Sequence, residues 1–312
     1  MIVPSNGQAA LVTGASRGLG LAYARLLARQ GYGVVLNDLS SEADALAAAV
    51  RDIVASSGEA HVDLHDLTRE PAGPVATAVR VFGRIDVVVN NAGATGGGTI
   101  DQMPAEEFDR LLAINVGGAV GVLRAAWPHF VRQGYGRVVN TASGSVLGLP
   151  GCFGYQTSKA ALIGLTRSLA LDGAPHGIKV NAVNPIAWTR MTADIPDAAF
   201  RQFLQANFRP ELVAPFVVAL ASRDVPCSGE LFSVGGGMAA RVTLGYVPGA
   251  VLGAAASPQA WLARFDEVMS TEGGHVAAHA MEEVAFRARQ IGAVLQATTD
   301  GLPDWSQAAP SH

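Results

Sequence analysis

The feature that most constrains what this chain can fold into is an order of segments near its start. A continuous apolar run, Ala9–Thr13, leads into Gly14-Ala15-Ser16-Arg17-Gly18-Leu19-Gly20 and then into an Ala/Leu/Arg stretch of helical period, Leu19–Arg29. A strand feeding a helix through a glycine-bearing turn makes a βα unit. Gly14 permits the sharp turn, Gly18 lets backbone come close to a pyrophosphate, and Gly20 allows the helix to pack tightly on the strand. The helix N-terminus then offers free N–H groups and a partial positive charge. In a chain with 36 glycines the spacing alone would carry little weight. Its place between a strand and a helix is what points to a dinucleotide.

The alternation continues for about 235 residues. Strand-like runs fall at Ala9–Thr13, Gly33–Asn37, Ala60–Asp63, Asp86–Asn90, Arg137–Thr141, Lys179–Val183 and Glu230–Val234, with helical stretches such as Ala43–Ala55 and Ala160–Leu171 between them. Unbroken Val/Leu runs suit strands covered on both faces. The expectation is an α/β fold of Rossmann type: a doubly wound parallel sheet of about seven strands, with helices on both faces and ligands at the carboxyl ends of the strands. After Gly237 the pattern is expected to stop. Gly245–Pro258 reads as a loop, residues 258–270 and 275–292 as helices, and 301–312 as a frayed end. The predicted organisation is a Rossmann-type domain over 1–244 and a helical extension over 245–312 that is not an independent domain.

Hydrophobic residues make up 49% of the chain and charged residues 15%, which favours a large core. The net charge of −4 comes without a basic block, so nucleic acid is not an expected partner. Cys152 and Cys227 are the two cysteines, too few for a disulfide framework or a metal-type spacing. No leader pattern and no run of about 18 apolar residues is present, so no membrane span is expected. The default compartment is a reducing cytoplasm.

Asp38 ends the second strand, where a carboxylate can accept from ribose hydroxyls and repel a 2′-phosphate, which points to NAD rather than NADP. Arg17 is the opposing cue, since its guanidinium could hold such a phosphate or simply be a solvated arginine. Asp66, with Leu67 beside it, could reach an adenine edge. It could equally be a turn aspartate capping a helix that starts near Thr68.

Lysine occurs only twice, at Lys159 and Lys179, so its placement is informative. Lys159 lies four residues after Tyr155, which puts both on one helix face. A phenol is a poor base at neutral pH, and a nearby ammonium favours its ionised form, which suits Tyr155 to general acid–base work.

With the glycine loop, Asn90-Asn91-Ala92-Gly93 and Tyr155-x-x-x-Lys159 in this order, the chain resembles the short-chain dehydrogenase/reductase family over about residues 7–240. The resemblance implies that Asn91, Ala92 and Gly93 lie beside the cofactor. Asn115 would hold a water for a proton relay, Ser143 would hydrogen-bond the reacting oxygen, and Lys159 would also bind the nicotinamide ribose. Pro185 and Thr189 would meet the carboxamide. Gly14, Ser16, Arg17, Gly18, Leu19, Gly20, Asp38, Asp66 and Leu67 would complete the cofactor site. Two departures stand out. Ser143 is one residue nearer Tyr155 than in many members, and strict counting lands on Ala142, with Ser145 as a further substitute. Ile186 stands where the family usually has glycine.

The flanks, including Arg124-Ala125-Ala126-Trp127 and Gly229-Glu230-Leu231-Phe232, are similar to the (3R)-hydroxyacyl-CoA dehydrogenase unit of peroxisomal multifunctional enzymes type 2. That similarity implies oxidation of 3-hydroxyacyl-CoA thioesters. The alternatives are an NADPH-dependent 3-oxoacyl carrier-protein, ketone or steroid reductase, or a non-catalytic NAD-binding protein. Residues 189–207 are expected to form a mobile substrate loop, with Trp188 and Phe203 lining the cleft. The apolar helices near Phe108–Val131 and Tyr155–Leu171 are expected to pack on a second subunit in a homodimer or homotetramer. His275 and His279, four apart, read as a surface helix rather than a metal site.

Overall fold

The computed structural model describes residues 7–189, 197–253, 256–277 and 279–290. They divide into two compact units between Val242 and Thr243.

The first unit is a sheet of eight strands: β1 (Ala9–Thr13), β2 (Gly33–Asn37), β3 (Glu59–Asp63), β4 (Val87–Asn90), β5 (Gly136–Thr141), β6 (Ile178–Ile186), β7 (Leu231–Gly235) and β8 (Met238–Val242). Their spatial order is β3-β2-β1-β4-β5-β6-β7-β8. All neighbours are parallel except β7 and β8. The antiparallel β8 adds an eighth strand to the expected parallel sheet of about seven. Gly236 and Gly237 both take positive φ (58° and 80°), a conformation open to glycine, and turn the chain straight back along β7. β8 is exposed at all but its last residue, so it lacks the apolar run that marks the inner strands.

β1, β2, β4 and β5 are buried at every position. Helices cover both faces. On one side α1 (Gly18–Arg29), α2 (Ala43–Ala55) and α8 (Ala214–Ala221) bring Tyr23, Leu27, Leu46, Ile53 and Val217 onto Val12, Leu36 and Val89. On the other side α3 (Gly73–Phe82), α5 (Gly118–Gln133) and α6 (Phe153–Gly173) bring Val75, Val122, Phe130 and Ala170 onto Leu11, Val35, Val88 and Val138. Leu11 and Val12 therefore serve opposite faces, as strand alternation requires.

Residues 105–133 form one helical stretch: α4 (Ala105–Leu112), a π-turn at Ala113–Gly117, and α5. At 29 residues and a mean hydropathy of 1.3 it is long and apolar enough to cross a membrane by length and composition alone. It is no unbroken apolar run, because Arg110 and Arg124 interrupt it. Its apolar stripe of Val122, Leu123, Ala126 and Phe130 is spent on the sheet.

Between β6 and α8 lies α7 (Ala198–Asn207), with Asp197 accepting from the Phe200 N–H as its N-cap. Residues 190–196 of the expected substrate loop lie outside the described residues.

The second unit departs from its predicted outline. Gly245–Tyr246 is a short strand, β9, paired antiparallel with His275–Val276, β10. The helices are α9 (Pro258–Ala263), α10 (Phe265–Val268) and α11 (Ala280–Gln290). His275 thus sits in a strand and His279 precedes α11, so the two do not share a helix. Tyr246, His275 and Phe286 form an aromatic cluster with centroids 4.8–5.7 Å apart. The expected frayed end, 301–312, and Trp305 lie outside the described residues.

Candidate active site

The strand order reverses between β1 and β4, and a crevice at the carboxyl ends of strands opens at such a point. The glycine loop follows β1 and Asn91–Gly93 follow β4, so the two motifs meet there. Thr13 Oγ1 accepts from the N–H groups of Asn91 and Ala92, each at 3.0 Å. Asn91 Nδ2 donates to the carbonyls of Thr13 and Gly14, again at 3.0 Å. Thr13 was not singled out from the sequence, where it reads only as the end of an apolar run.

Gly14 and Gly18 hold φ of +64° and +54°. A Cβ on Gly14 would stand 2.8 Å from the Ala92 Cα, and one on Gly20 would collide with the Gly14 carbonyl oxygen. Arg17 caps α1 in extended conformation, and no side chain or first-turn acid satisfies the helix N-terminus. This is a cradle of bare backbone with free N–H groups, and it fits a dinucleotide pyrophosphate. Leu19 faces away from it and packs against the core. Thr189 closes the other side, its Cγ2 lying 3.6 Å from where a Gly18 Cβ would be. Pro185 is near the end of β6, opposite Val234, and Ile186 after it is exposed.

Asp38 stands next to the loop. Its Oδ2 accepts from the Ser16 N–H at 3.1 Å and its Oδ1 from the Leu39 N–H at 2.9 Å. Arg17 forms an ion pair with Glu42. Asp66 Oδ1 takes the backbone N–H and the hydroxyl of Thr68 at 2.9 and 2.8 Å, and these hydrogen bonds hold its carboxyl below the usual range. That is the turn role, although the following helix α3 starts at Gly73 rather than near Thr68. Leu67 packs into the core. The charged group that organises this strand end is instead Asp63, fully buried and bonded to Asn37, His65 and Thr77.

The chemistry-bearing side chains gather beside β5. Lys159 is 3% exposed, and its Nζ donates to the Thr141 carbonyl at 2.8 Å. Burial lowers its pKa to about 8. A Cβ on Gly93 would lie 3.1 Å from Nζ and 2.9 Å from Asn115 Oδ1, so only glycine fits between them. Tyr155 and Ser143 share a side-chain hydrogen bond. Burial pushes the Tyr155 phenol above its ordinary pKa; the Ser143 hydrogen bond pulls it down in part, and Cys152 adds to the rise. The lowering by Lys159 expected from the helical spacing is not among these influences.

Ser143 is the serine that reaches Tyr155. Ser145 stands behind it, its hydroxyl donating to Ser143 Oγ at 2.9 Å and its N–H at 3.2 Å. Ala142 is buried in the core. Asn115 sits in the π-turn, a helix irregularity frequent at functional sites. Its Oδ1 accepts from the Ala94 N–H at 2.8 Å, and its Nδ2 donates to the Ala94 carbonyl at 3.0 Å and to Ser158 Oγ at 2.8 Å. Both amide hydrogens are thus used, so the side chain acts as a splint between Ala94 and Ser158. Ser158 in turn donates to the Tyr155 carbonyl at 2.8 Å. It was missed because a serine inside a helix carries no sequence signal of its own.

Trp188 is half-buried, its N–H donating to the Phe208 carbonyl at 2.6 Å, and the exposed Phe203 packs between Phe200 and Phe208. No cluster of three or more metal-ligating side chains occurs among the described residues.

The family described as short chain dehydrogenase matches residues 8–200. The chain belongs to this family. A short-chain dehydrogenase/reductase of Mycobacterium tuberculosis is 39% identical over 282 residues, covering 86% of this chain and 96% of that protein. The peroxisomal multifunctional enzyme type 2 of mouse is 37% identical over 245 residues, 74% of this chain and 32% of that enzyme. The solved full-length multifunctional enzyme type 2 of Drosophila melanogaster superposes with a TM-score of 0.76 at 25% identity, over 91% of this chain and 49% of that one. This short-chain dehydrogenase thus spans about a quarter to a half of the multifunctional enzymes it matches. It is an oxidoreductase acting on a CH–OH group with a nicotinamide dinucleotide.

Proposed function

We propose that this dehydrogenase uses NAD to oxidise a secondary alcohol, the 3-hydroxyl of a 3-hydroxyacyl-CoA thioester, to the ketone. The observation that carries the cofactor choice is Asp38, whose carboxylate is held against the loop by the Ser16 N–H and is positioned to accept from ribose hydroxyls. The substrate class rests on the similarity to the multifunctional enzymes.

When bound, nicotinamide supplies the acceptor for the hydride leaving the carbinol carbon. The remaining steps fall to the chain. Ser143 Oγ orients the substrate oxygen and donates to it as charge develops. Tyr155 Oη takes the hydroxyl proton in oxidation and returns it in reduction. Lys159 Nζ, with two hydrogens left after Thr141, holds the nicotinamide ribose. Asn115 and Ser158 fix the distance between the Tyr155 helix and the Gly93–Ala94 segment. On this reading the protein also acts as an oligomer, as members of the family commonly do. The cleft of about 590 Å³ between α5 and α6, lined by Leu123, Trp127, Val131, Leu165 and Leu169, supports a homodimer or homotetramer built on that face.

The test is a kinetic panel of (3R)-hydroxyacyl-CoAs, free hydroxysteroids and simple secondary alcohols, each with NAD and NADP. The reading requires the highest kcat/KM on an acyl-CoA with NAD. Turnover of steroids or simple alcohols with none of the acyl-CoAs would overturn the substrate class, and a strong NADP preference would overturn the reading of Asp38.

A further inference from the structure

Resting on the NAD reading above, we infer that Glu42 is a cofactor-specificity residue that works by holding Arg17. Two opposing signals meet at the ribose end of the crevice. Asp38 disfavours a 2′-phosphate, while Arg17, in the glycine loop one residue after Ser16, is a guanidinium of the kind that binds phosphate bidentately. Left free, Arg17 would offset Asp38 and blur the choice between the two dinucleotides.

The structure ties it back. Asp38 leads through Leu39 into a single 3-10 turn, Ser40–Glu42, immediately before α2. The turn brings the Glu42 carboxylate onto the Arg17 guanidinium. Glu42 is the less exposed partner, with 21% of its side chain accessible against 42% for Arg17. The pair does not draw on Asp38, whose oxygens each accept one backbone N–H, from Ser16 and Leu39, and keep capacity for a ribose hydroxyl. Two carboxylates and one guanidinium therefore bracket the loop, leaving one net negative charge where a phosphate would need positive charge.

A pair this exposed contributes little to stability. Its effect is on selectivity, which is a difference between two affinities. Binding of a 2′-phosphate requires Arg17 to leave Glu42, and the abandoned carboxylate then repels the phosphate. A cofactor with a 2′-hydroxyl asks for neither.

The experiment is equilibrium binding of NADH and of NADPH to the full chain, by fluorescence titration, for the wild type, Glu42→Gln and the double variant Glu42→Gln/Arg17→Ala. The wild type is expected to bind NADH more tightly. Glu42→Gln should tighten NADPH by about tenfold, the scale of one hydrogen bond to a charged group, and move NADH by less than about twofold. The double variant should lose that gain, and the gain should shrink as salt is raised. An unchanged NADPH to NADH ratio in Glu42→Gln overturns the assignment while leaving the NAD reading intact. A gain that survives in the double variant also overturns it, because Glu42 would then act by its own charge and not through Arg17. A wild type that prefers NADPH overturns the NAD reading and this inference with it.

Discussion

Lys159 Nζ donates to the Thr141 carbonyl at 2.8 Å from a position almost sealed from solvent. One hydrogen bond does not replace the hydration of an ammonium, and its pKa falls to about 8. The folded state therefore binds this proton more weakly than the unfolded chain, whose lysine titrates near 10.4. Between these values the unfolded chain holds the proton and the folded one does not, so stability rises with pH from about 8 to about 10. Lys159→Met should stabilise the cofactor-free protein at pH 7 by about 1–3 kcal/mol. That advantage should fade as pH rises from about 8 to about 10, while turnover is lost at every pH. Denaturant unfolding of both proteins from pH 7 to 10 checks this, and a pH-independent difference would count against it.

Tyr155→Phe removes the proton acceptor and leaves the ring. Turnover should fall by roughly 10²–10⁴-fold, the usual share of general acid–base catalysis, with NADH affinity changed by less than about twofold. Retained activity would sink the assignment of the phenol as the acid–base group.

Ser143 is the influence that lowers the Tyr155 pKa against burial. Oxidation needs the phenolate, so its rate should climb with pH toward the Tyr155 pKa. Ser143→Ala raises that pKa and should shift the rising limb of the kcat profile to higher pH, with slower oxidation at any fixed pH below it. Ser145→Ala should leave the limb nearly in place, since Ser145 touches Ser143 and not Tyr155. A larger shift from Ser145→Ala would reverse the assignment of the two serines.

Ser158 joins Asn115 to the first turn of α6 with two 2.8 Å hydrogen bonds and is wholly buried. Ser158→Ala leaves an Asn115 amide hydrogen unsatisfied, at a cost of about 1–3 kcal/mol. Because Asn115 holds Ala94 and not the substrate, the loss should be read in kcat, with KM for the alcohol little changed. A variant with normal kcat but reduced melting temperature would make the link purely structural.

How much of this could be read from the chain depends on whether the information is local. The inner strands were legible because Val34–Leu36 and Val87–Val89 are covered on both faces and so run unbroken in apolar residues. β8 was not, because an edge strand exposed along Met238–Arg241 needs no apolar pattern. β9 and β10 are two residues each, too short to carry a period. In the site, Gly14–Gly20, Tyr155 and Lys159 were legible because each motif is contiguous or sits at helical spacing. Thr13, Glu42, Asp63 and Ser158 were not, since each acts on a partner brought close only by the fold. Lys159 itself was identified, yet its turn toward Thr141 and the rise of the Tyr155 pKa depend on tertiary contact and burial, which no spacing records.

Gly20 makes the closest approach in the cofactor loop. A Cβ there would run into the Gly14 carbonyl oxygen and stand 2.7 Å from Asn91 Nδ2, the group that ties β4 to the loop. Neither neighbour is a flexible chain end. The Gly14 carbonyl belongs to a residue held at positive φ, and the Asn91 amide is committed to Thr13 and Gly14. Gly20→Ala must therefore push α1 off the loop, which spoils both core packing and the N–H cradle. The expected cost is about 1–3 kcal/mol of stability, as for other overpacked sites, with a larger relative loss of NADH affinity. Gly83→Ala is the control: at φ +74° it strains the backbone, but a Cβ there meets nothing within 4 Å and it lies outside the crevice. It should destabilise the protein without weakening NADH beyond what unfolding explains. Equal effects of the two substitutions on NADH binding would show that Gly20 matters only to the fold.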